Sequence, residues 1–201
     1  MSKTVYCPVV ATLASVVTSL TDCPTEFGQI QKIVFWRRGQ AFTSVASATS
    51  ATVWTARLAS TGDAKLLASP LLTAAIPPSE AREAGSGNEV LHGIPIAIGS
   101  NPVKVEGRTW EQSQTVITAL KAIGGEYLDV MFINESGQLL YKLVGSTAAG
   151  FPIHSLWISD MATGTFTDGS YNTFSFYLEP NWSNAAVISA AFSASLNAVN
   201  G

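Results

Sequence analysis

The sequence predicts a mostly β (α+β) protein, a β-sandwich or barrel with one isolated α-helix near residues 110–123. About eight to ten short segments rich in β-branched and aromatic residues alternate with turn residues. One segment has the apolar spacing of an amphipathic helix. The chain of 201 residues is long enough to bury a core without cross-links, and we expect a single domain over residues 1–201.

The first half of the chain contains two predicted strands followed by an irregular region. Ile30–Arg38 is rich in β-branched and aromatic residues, which favours a strand, and Thr52–Leu58 alternates with the period of two of a half-buried strand. The Ser/Ala/Thr-rich segment Phe42–Ala51 between them is typical of a loop. Proline and glycine punctuate residues 68–102, so we expect a long irregular loop there.

The single predicted helix covers Trp110–Ile123. Thr109 has the position of an N-cap hydroxyl, and Gln112 follows three residues later as in a capping box. Gly124 and Gly125 then supply the usual C-terminal stop. The apolar face is formed by Val116, Ile117, Leu120 and Ile123.

Further strands are predicted on both sides of this helix. Two runs with a short glycine-containing loop between them, Tyr127–Ile133 and Leu139–Val144, predict a hairpin. The remaining predicted strands are Ile94–Ile98, Val103–Gly107, Phe151–Ile158 and Thr173–Leu178.

The composition indicates what kind of surface the protein has. Charged residues make up 12% of the chain, against about 25% in an average protein. Ala, Ser and Thr make up 67 of the 201 residues. Subunit interfaces are depleted of charge, so burial against other copies explains this deficit, and a secreted protein with a Ser/Thr-rich exterior is the alternative. We favour assembly, because the first residues do not have the pattern of a signal peptide.

The charge balance and hydropathy exclude two classes of partner. Eleven scattered cations against 14 anions, a net charge of -3, give no electrostatic footprint for specific nucleic-acid binding. No apolar stretch approaches the roughly 18 residues that a membrane-spanning helix needs, so we expect no membrane partner.

No combination of residues predicts catalysis, a cofactor or a metal, and we expect the protein not to be an enzyme. His92 and His154 have no second His or Cys at ligand spacing. Ser86 lies between glycines but outside a strand-to-helix elbow, and Gly124–Gly125 ends a helix, so it is not a phosphate loop. Asp160, Asp168 and Glu179 are interpreted as exposed turn acids, since their spacing matches no calcium loop.

The cysteines, tryptophans and paired arginines are interpreted structurally. Cys7 and Cys23 are expected to be reduced buried thiols, although one disulfide stays possible. Arg37–Arg38 is interpreted as a solvated strand end. Four tryptophans, Trp36, Trp54, Trp110 and Trp157, lie in predicted strands or at the helix start, which favours packing. Trp182 lies in a predicted loop, so that Trp182 and Tyr171 are the candidate glycan platform of a secreted carbohydrate-binding module.

The order of elements, with strands, a long middle loop, one helix and closing hairpins, resembles the tail tube (major tail) proteins of tailed bacteriophages. Local phrases are similar to proteins from phages of Bacteroidetes hosts. These are NEVLHGIP at Asn88–Pro95, Ala119–Lys121 within the helix, and FINESGQ at Phe132–Gln138. The resemblance covers roughly residues 25 to 185.

The resemblance implies a virion protein, made in the host bacterial cytoplasm, whose copies form rings, usually hexamers. The rings stack into a tube through which DNA passes, and other virion proteins are further partners. Such proteins have no catalytic residues, and their middle loop, here Pro70 to Asn101, contacts the next ring. A capsid decoration or head protein is the alternative within the same class. The subunit number, strand order and lumen-facing surface stay open.

Overall fold

The structure, a computed structural model, describes residues 27–58, 64–68, 72–85, 94–110, 114–163 and 169–189. The helices are α1 (Val45–Ala48), α2 (Ala51–Leu58) and α3 (Gln114–Ile123), and Trp182–Ala185 forms a 3-10 turn. The strands are β1 (Ile30–Arg37), β2 (Ala64–Ala68), β3 (Leu72–Ala75), β4 (Ala81–Ala84), β5 (Ile96–Ser100), β6 (Val103–Thr109), β7 (Leu128–Asn134), β8 (Leu139–Val144), β9 (Thr147–Ala149), β10 (Phe151–Ile158), β11 (Ala162–Thr163), β12 (Ser170–Leu178) and β13 (Ala186–Ile188). The mostly β fold is confirmed.

The strands form one large antiparallel sheet and one separate pair. The long path through the sheet is β13-β8-β7-β10-β12-β6-β3. Strands β1 and β2 extend it beside β7, β9 pairs with β8, and β11 pairs with β12. The sheet is curled, as the proximity of β1 to β3, at one end of the path, shows. Strands β4 and β5 pair only with each other among the described strands.

The inner face of the curled sheet encloses the larger core. Phenylalanines fill its centre: Phe35 meets Phe176 edge to face at 5.8 Å, and Phe176 stacks on Phe132 at 6.3 Å. Two residues of α3, Ile117 and Leu120, pack against the same core. Each large apolar side chain buried in this way contributes about 1.5 to 3 kcal/mol relative to an exposed one.

A second core lies on the outer face of β1, β7 and β8, beneath α1 and α2. Trp36 of β1 stacks on Trp54 of α2 with ring centroids 6.4 Å apart, and Phe42 closes the group. The guanidinium of Arg57 lies 5.1 Å from the Trp36 ring centroid, a cation–π contact. The Trp54 indole N–H donates to the carbonyl of Ala48, which satisfies it inside the core.

Two sequence predictions for this layer are wrong. Thr52–Leu58, expected to be a strand, lies in helix α2, and Phe42–Ala51, expected to be a loop, contains helix α1. Seven alternating residues are too few to exclude a helix, and burial of Trp54 decides between the two. Ser44 and Ser47 form a capping box at the start of α1.

The predicted single helix exists, but it begins later than expected. Helix α3 covers Gln114–Ile123, and Trp110 precedes it outside any regular element. Thr109 is not an N-cap, because it is the buried last residue of β6 and lies opposite Asn172 of β12. The predicted end is confirmed: the Gly124 N–H donates to the Lys121 carbonyl, and Gln112 lies outside the described residues.

The region predicted to be an irregular loop, 68–102, contains a two-stranded ribbon. Ala75 lies opposite Glu106 in the β3–β6 pair, and Ala81 lies opposite Ser100 in the β4–β5 pair. The two pairs continue in the same register. Strands β3 and β4 together therefore form one side of a ribbon, and β5 and β6 together form the other. Proline has no N–H to donate, and Pro77 and Pro78 lie where the pairing is interrupted.

One buried carboxylate lies in the second core. Asp129 of β7 accepts the Gly39 N–H at 3.0 Å and lies 3.6 Å from Nε of Arg38. Burial raises the pKa of Asp129, although the Gly39 N–H and the Arg38 charge both act in the opposite direction. The folded state therefore binds a proton at this carboxyl more tightly than the unfolded state does.

We expect the Gly107→Ala variant to be destabilised by about 1 to 3 kcal/mol. A Cβ at Gly107 would overlap the Thr73 carbonyl and the Phe174 ring, which pushes β3 away from β6. The matched control is Gly125→Ala, whose Cβ would meet nothing within 4 Å. Urea unfolding of the three proteins measures both effects, and equal stabilities would contradict the close approach at Gly107.

We expect the Asp129→Asn variant to gain stability relative to the wild type as the pH rises. The raised pKa of Asp129 contributes stability that is complete below the unfolded pKa of about 3.9 and is lost as the pH rises through the folded pKa. Free energies of unfolding measured between about pH 4 and 7 test this slope.

Asp160 supplies a control of opposite sign. Its exposed carboxylate pairs with Lys121, which lowers the pKa of Asp160, so its contribution is present above the unfolded pKa and is lost as the pH falls. The wild type should therefore become more stable relative to Asp160→Asn as the pH rises from about 2 to 5, and this difference in stability should be nearly constant above about pH 5. Parallel slopes for the two variants would show that the burial assigned to Asp129 is wrong.

Candidate interaction surface

The residues considered for catalysis lie on separate parts of the surface. The His154 ring lies 3.3 Å from the Glu179 carboxylate, and both side chains are about half exposed. Asp160 instead pairs with Lys121 of α3. The structure therefore divides Asp160 and Glu179 between two unrelated side-chain contacts.

Several candidates lie outside the described residues: Cys7, Cys23, Ser86, His92 and Asp168. Within the parts of the chain that the structure describes, no three His, Cys, Asp or Glu residues are grouped closely enough to hold a metal ion. In the same residues, no helix has the length and apolar character needed to cross a membrane.

The two residues of the candidate glycan platform both pack against other side chains, and the expected loop position of Tyr171 is wrong. Trp182 is half-buried, and its ring packs edge to face on Phe151 at 5.2 Å. Tyr171 lies within β12 rather than on a loop, between Trp110 at 6.1 Å and the guanidinium of Arg108 at 4.9 Å. Each of these aromatic rings is therefore partly covered by contacts within the chain.

The paired arginines differ in their surroundings. Arg37 is exposed and forms an ion pair with Glu126 at 3.2 Å, as expected of a solvated strand end. Arg38 is half-buried, and one of its Nη groups donates to the Ile153 carbonyl at 2.8 Å. Arg38 therefore belongs to the packing of the sheet.

Trp157 of β10 was expected to pack in the core, but 58% of its surface is exposed. Strand β10 contains one extra residue between His154 and Trp157 relative to β12, which is a β-bulge. Ser155 in this bulge has a φ of +57°, a left-handed conformation that serine rarely adopts. Since side chains alternate along a strand, the extra residue moves Trp157 from the core face to the outer face.

Trp157 lies on a part of the outer sheet face that we call the open face. No helix of the described chain covers it, in contrast to the half beneath α1 and α2. An open groove of about 780 Å³ runs along it. Side chains on the open face that line this groove are Thr73, Ala75, Lys104, Glu106, Arg108, Trp157, Thr173 and Ser175.

The β4–β5 pair forms a second distinct surface, which we call the arm. By strand alternation, Ile96 and Ile98 share one side of β5, and on that side Ala84 of β4 lies opposite Ile96 and Ala81 lies opposite Ser100. Three isoleucines at alternate positions are exposed, with exposed fractions of 68% for Ile94, 60% for Ile96 and 53% for Ile98. Arg82 and Glu83 lie towards the other side of the arm, where the side chain of Arg82 lies near Gly99.

The polarity of the ribbon reverses between its base and the arm. In β6 the even-numbered residues, such as Lys104 and Glu106, are exposed and polar, while Val103 and Val105 are buried. In β5 the even-numbered residues are instead the isoleucines. The apolar side of the arm therefore continues the polar, outer side of β6 and points away from the core of its own chain.

Comparisons with known proteins give two partial similarities. No family model matches the chain, and no curated protein matches it. A chain of the tail of an empty gene transfer agent (GTA) particle, refined helically with C6 symmetry, is 15% identical over 65% of this chain and 89% of that chain, with a TM-score of 0.36. A chain of the native GTA virion is 14% identical over 60% and 84%, with a TM-score of 0.33. With TM-scores this low, neither similarity establishes a shared fold or function.

We expect the Trp157→Ala variant to change the free energy of unfolding by about 0.5 kcal/mol or less, because the side chain is exposed. The matched Trp54→Ala variant should lose about 3 to 5 kcal/mol, because that side chain is fully buried. Chemical unfolding measures both values. A loss above about 2 kcal/mol at Trp157 would contradict its outward orientation.

Proposed function

We propose that this chain is a structural virion protein, without enzymatic activity, that assembles with copies of itself into stacked rings. The rings form the tail tube of a phage-like particle, with DNA passing through the lumen and other virion proteins at its ends. The observation that carries this proposal is the exposed apolar side of the arm. We infer the function because this apolar surface must be covered by another molecule to be removed from water.

The arm cannot bury its apolar side within the described part of its own chain. A two-stranded hairpin is marginally stable by itself. Removing the exposed parts of Ile94, Ile96 and Ile98 from water would contribute roughly 3 to 5 kcal/mol, from which the entropy of association is subtracted. An exposed apolar patch on a projecting element is typical of an interaction site.

The composition supports a partner of the same kind. The 12% of charged residues is low for a protein that stays monomeric in solution. Copies that cover one another need fewer surface charges, because much of each surface is buried. A repeated assembly of one chain therefore accounts for both the charge deficit and the arm.

The resemblance noted in the sequence supplies the finer part of the proposal. Tail tube proteins use their middle loop to contact the next ring, and the arm lies in the corresponding segment, Pro70 to Asn101. On this basis we propose that the arm connects rings, usually of six subunits, along the axis of the tube.

We expect the purified wild type to form rings or tubes with a central channel, and the double variant Ile96→Asp/Ile98→Asp to be monomeric. Two buried carboxylates would have to lose their hydration at the interface, which costs several kcal/mol and lowers association by at least about 100-fold. Negative-stain electron microscopy and light scattering on the same samples measure the outcome.

The control variant Ser146→Asp adds an acid at the exposed turn between β8 and β9, away from the arm. It should assemble as the wild type does. A monodisperse wild-type monomer at high concentration would overturn the proposed function. If Ile96→Asp/Ile98→Asp assembles as strongly as the wild type, the arm has no part in the proposed assembly.

A further inference from the structure

We infer that the arm of one copy docks into the groove of the open face on a second copy, with Trp157 as the anchor of the acceptor. This inference rests on the proposed function, since its occupant is another copy of the chain. The inference gives Trp157 a role in binding. It also means that the contact joins two different surfaces, the arm of one copy and the open face of another.

The exposure of Trp157 is maintained at a conformational cost. Without the bulge, Trp157 would face the core in line with Phe151 and Ile153. The left-handed backbone of Ser155 costs about 1 to 3 kcal/mol, and such strain is concentrated at binding and catalytic sites. Tryptophan is also enriched among the residues that dominate binding energy at protein interfaces.

The groove matches the apolar side of the arm in chemical character. Ala75 lies beside Glu106 on the open face and leaves room there, since its side chain is a single methyl group. The guanidinium of Arg108 lies over the Tyr171 ring and the ammonium of Lys104 pairs with Glu106, so the aliphatic stems of both residues are left to line the groove. A row of isoleucines can therefore lie against the Trp157 ring, as two sheet faces do when they pack about 10 Å apart.

The charges of the two surfaces are complementary. The arm and its base carry Glu80, Arg82 and Glu83, two carboxylates and one guanidinium, a net charge of -1. The groove carries Lys104, Glu106 and Arg108, two cations and one carboxylate, a net charge of +1. Glu106 accepts from Lys104 and raises the pKa of that ammonium, which keeps it charged. Arg82 and Glu83 lie on the side of the arm away from the isoleucines, so these opposite net charges assist the approach of two copies rather than form contacts in the docked pair.

A contact between an arm and a groove leaves each copy with one donor and one acceptor still available. Such a head-to-tail contact produces closed rings or continuing stacks. Packing two arms on each other would instead give a closed dimer and leave the Trp157 groove exposed. The two arrangements therefore differ in the size of the products that a cross-link traps.

The test is disulfide trapping with one cysteine on each surface. The two native cysteines are first replaced, Cys7→Ser and Cys23→Ser, and assembly of this background is confirmed. Ala84→Cys on the arm and Ala75→Cys in the groove are then introduced together. Nine residues of extended chain span about 30 Å, so the two thiols of one chain cannot meet, and every bond between them joins two chains.

We expect mild oxidation of this double variant to give a ladder of covalent multimers on a non-reducing gel. Ala84→Cys combined with Ser146→Cys is the matched control and should give no ladder. Adding Trp157→Ala to the Ala75→Cys/Ala84→Cys variant should reduce the multimers at least tenfold, while the circular dichroism spectrum and the melting temperature stay those of the parent.

The outcomes separate the two claims. A wild-type protein that is monomeric overturns the proposed function, and this inference with it. If the wild type assembles and Ile96→Asp/Ile98→Asp does not, the proposed function stands. In that case, three results would each overturn the arm-to-groove contact. These are the absence of a ladder, dimers from Ala84→Cys alone, and full cross-linking after Trp157→Ala.

Discussion

The burial of β7 on both faces is the constraint on which the rest of the structure depends. Leu128, Val130 and Phe132 face the inner core, while Met131 and Ile133 face the layer formed by α1 and α2. Because β1 lies on one edge of β7 and β8 and β10 lie on the other, this strand joins both cores. The two short helices cover the outer sheet face around β1, β7 and β8, and among the described residues no helix covers that face of β6, β10 and β12.

Strands were predictable from the sequence where their residues face a core in regular alternation or as an apolar run. The bounds of Leu139–Val144 and Phe151–Ile158 agree with β8 and β10. The prediction failed for Thr52–Leu58, because the burial of Trp54 against Trp36, a residue distant in sequence, decides that segment. Local pattern alone carries no information about such a partner.

The interaction surface was less predictable than the fold, for two physical reasons. One inserted residue at Ser155 reverses the direction of Trp157, and no composition signal marks it. Trp182 lies after β12 in an irregular-looking segment, yet Phe151 covers it. In the arm, Ile94–Ile98 was recognised as a strand, but its partner β4, with the sequence AREA, has no β-branched or aromatic residue.

The prolines between β3 and β4 have a consequence for the accuracy of assembly. Pro77 and Pro78 remove two backbone donors from the ribbon, so the arm is linked to the sheet by few hydrogen bonds, among them Asn101 N–H to the Glu80 carbonyl. Such an element opens locally at a small fraction of the free energy of global unfolding. In the proposed assembly, a copy that docks in a wrong position would be held weakly and would dissociate, whereas a correctly placed copy would gain the full contact. In that assembly, the weak connection would allow wrongly placed copies to be replaced.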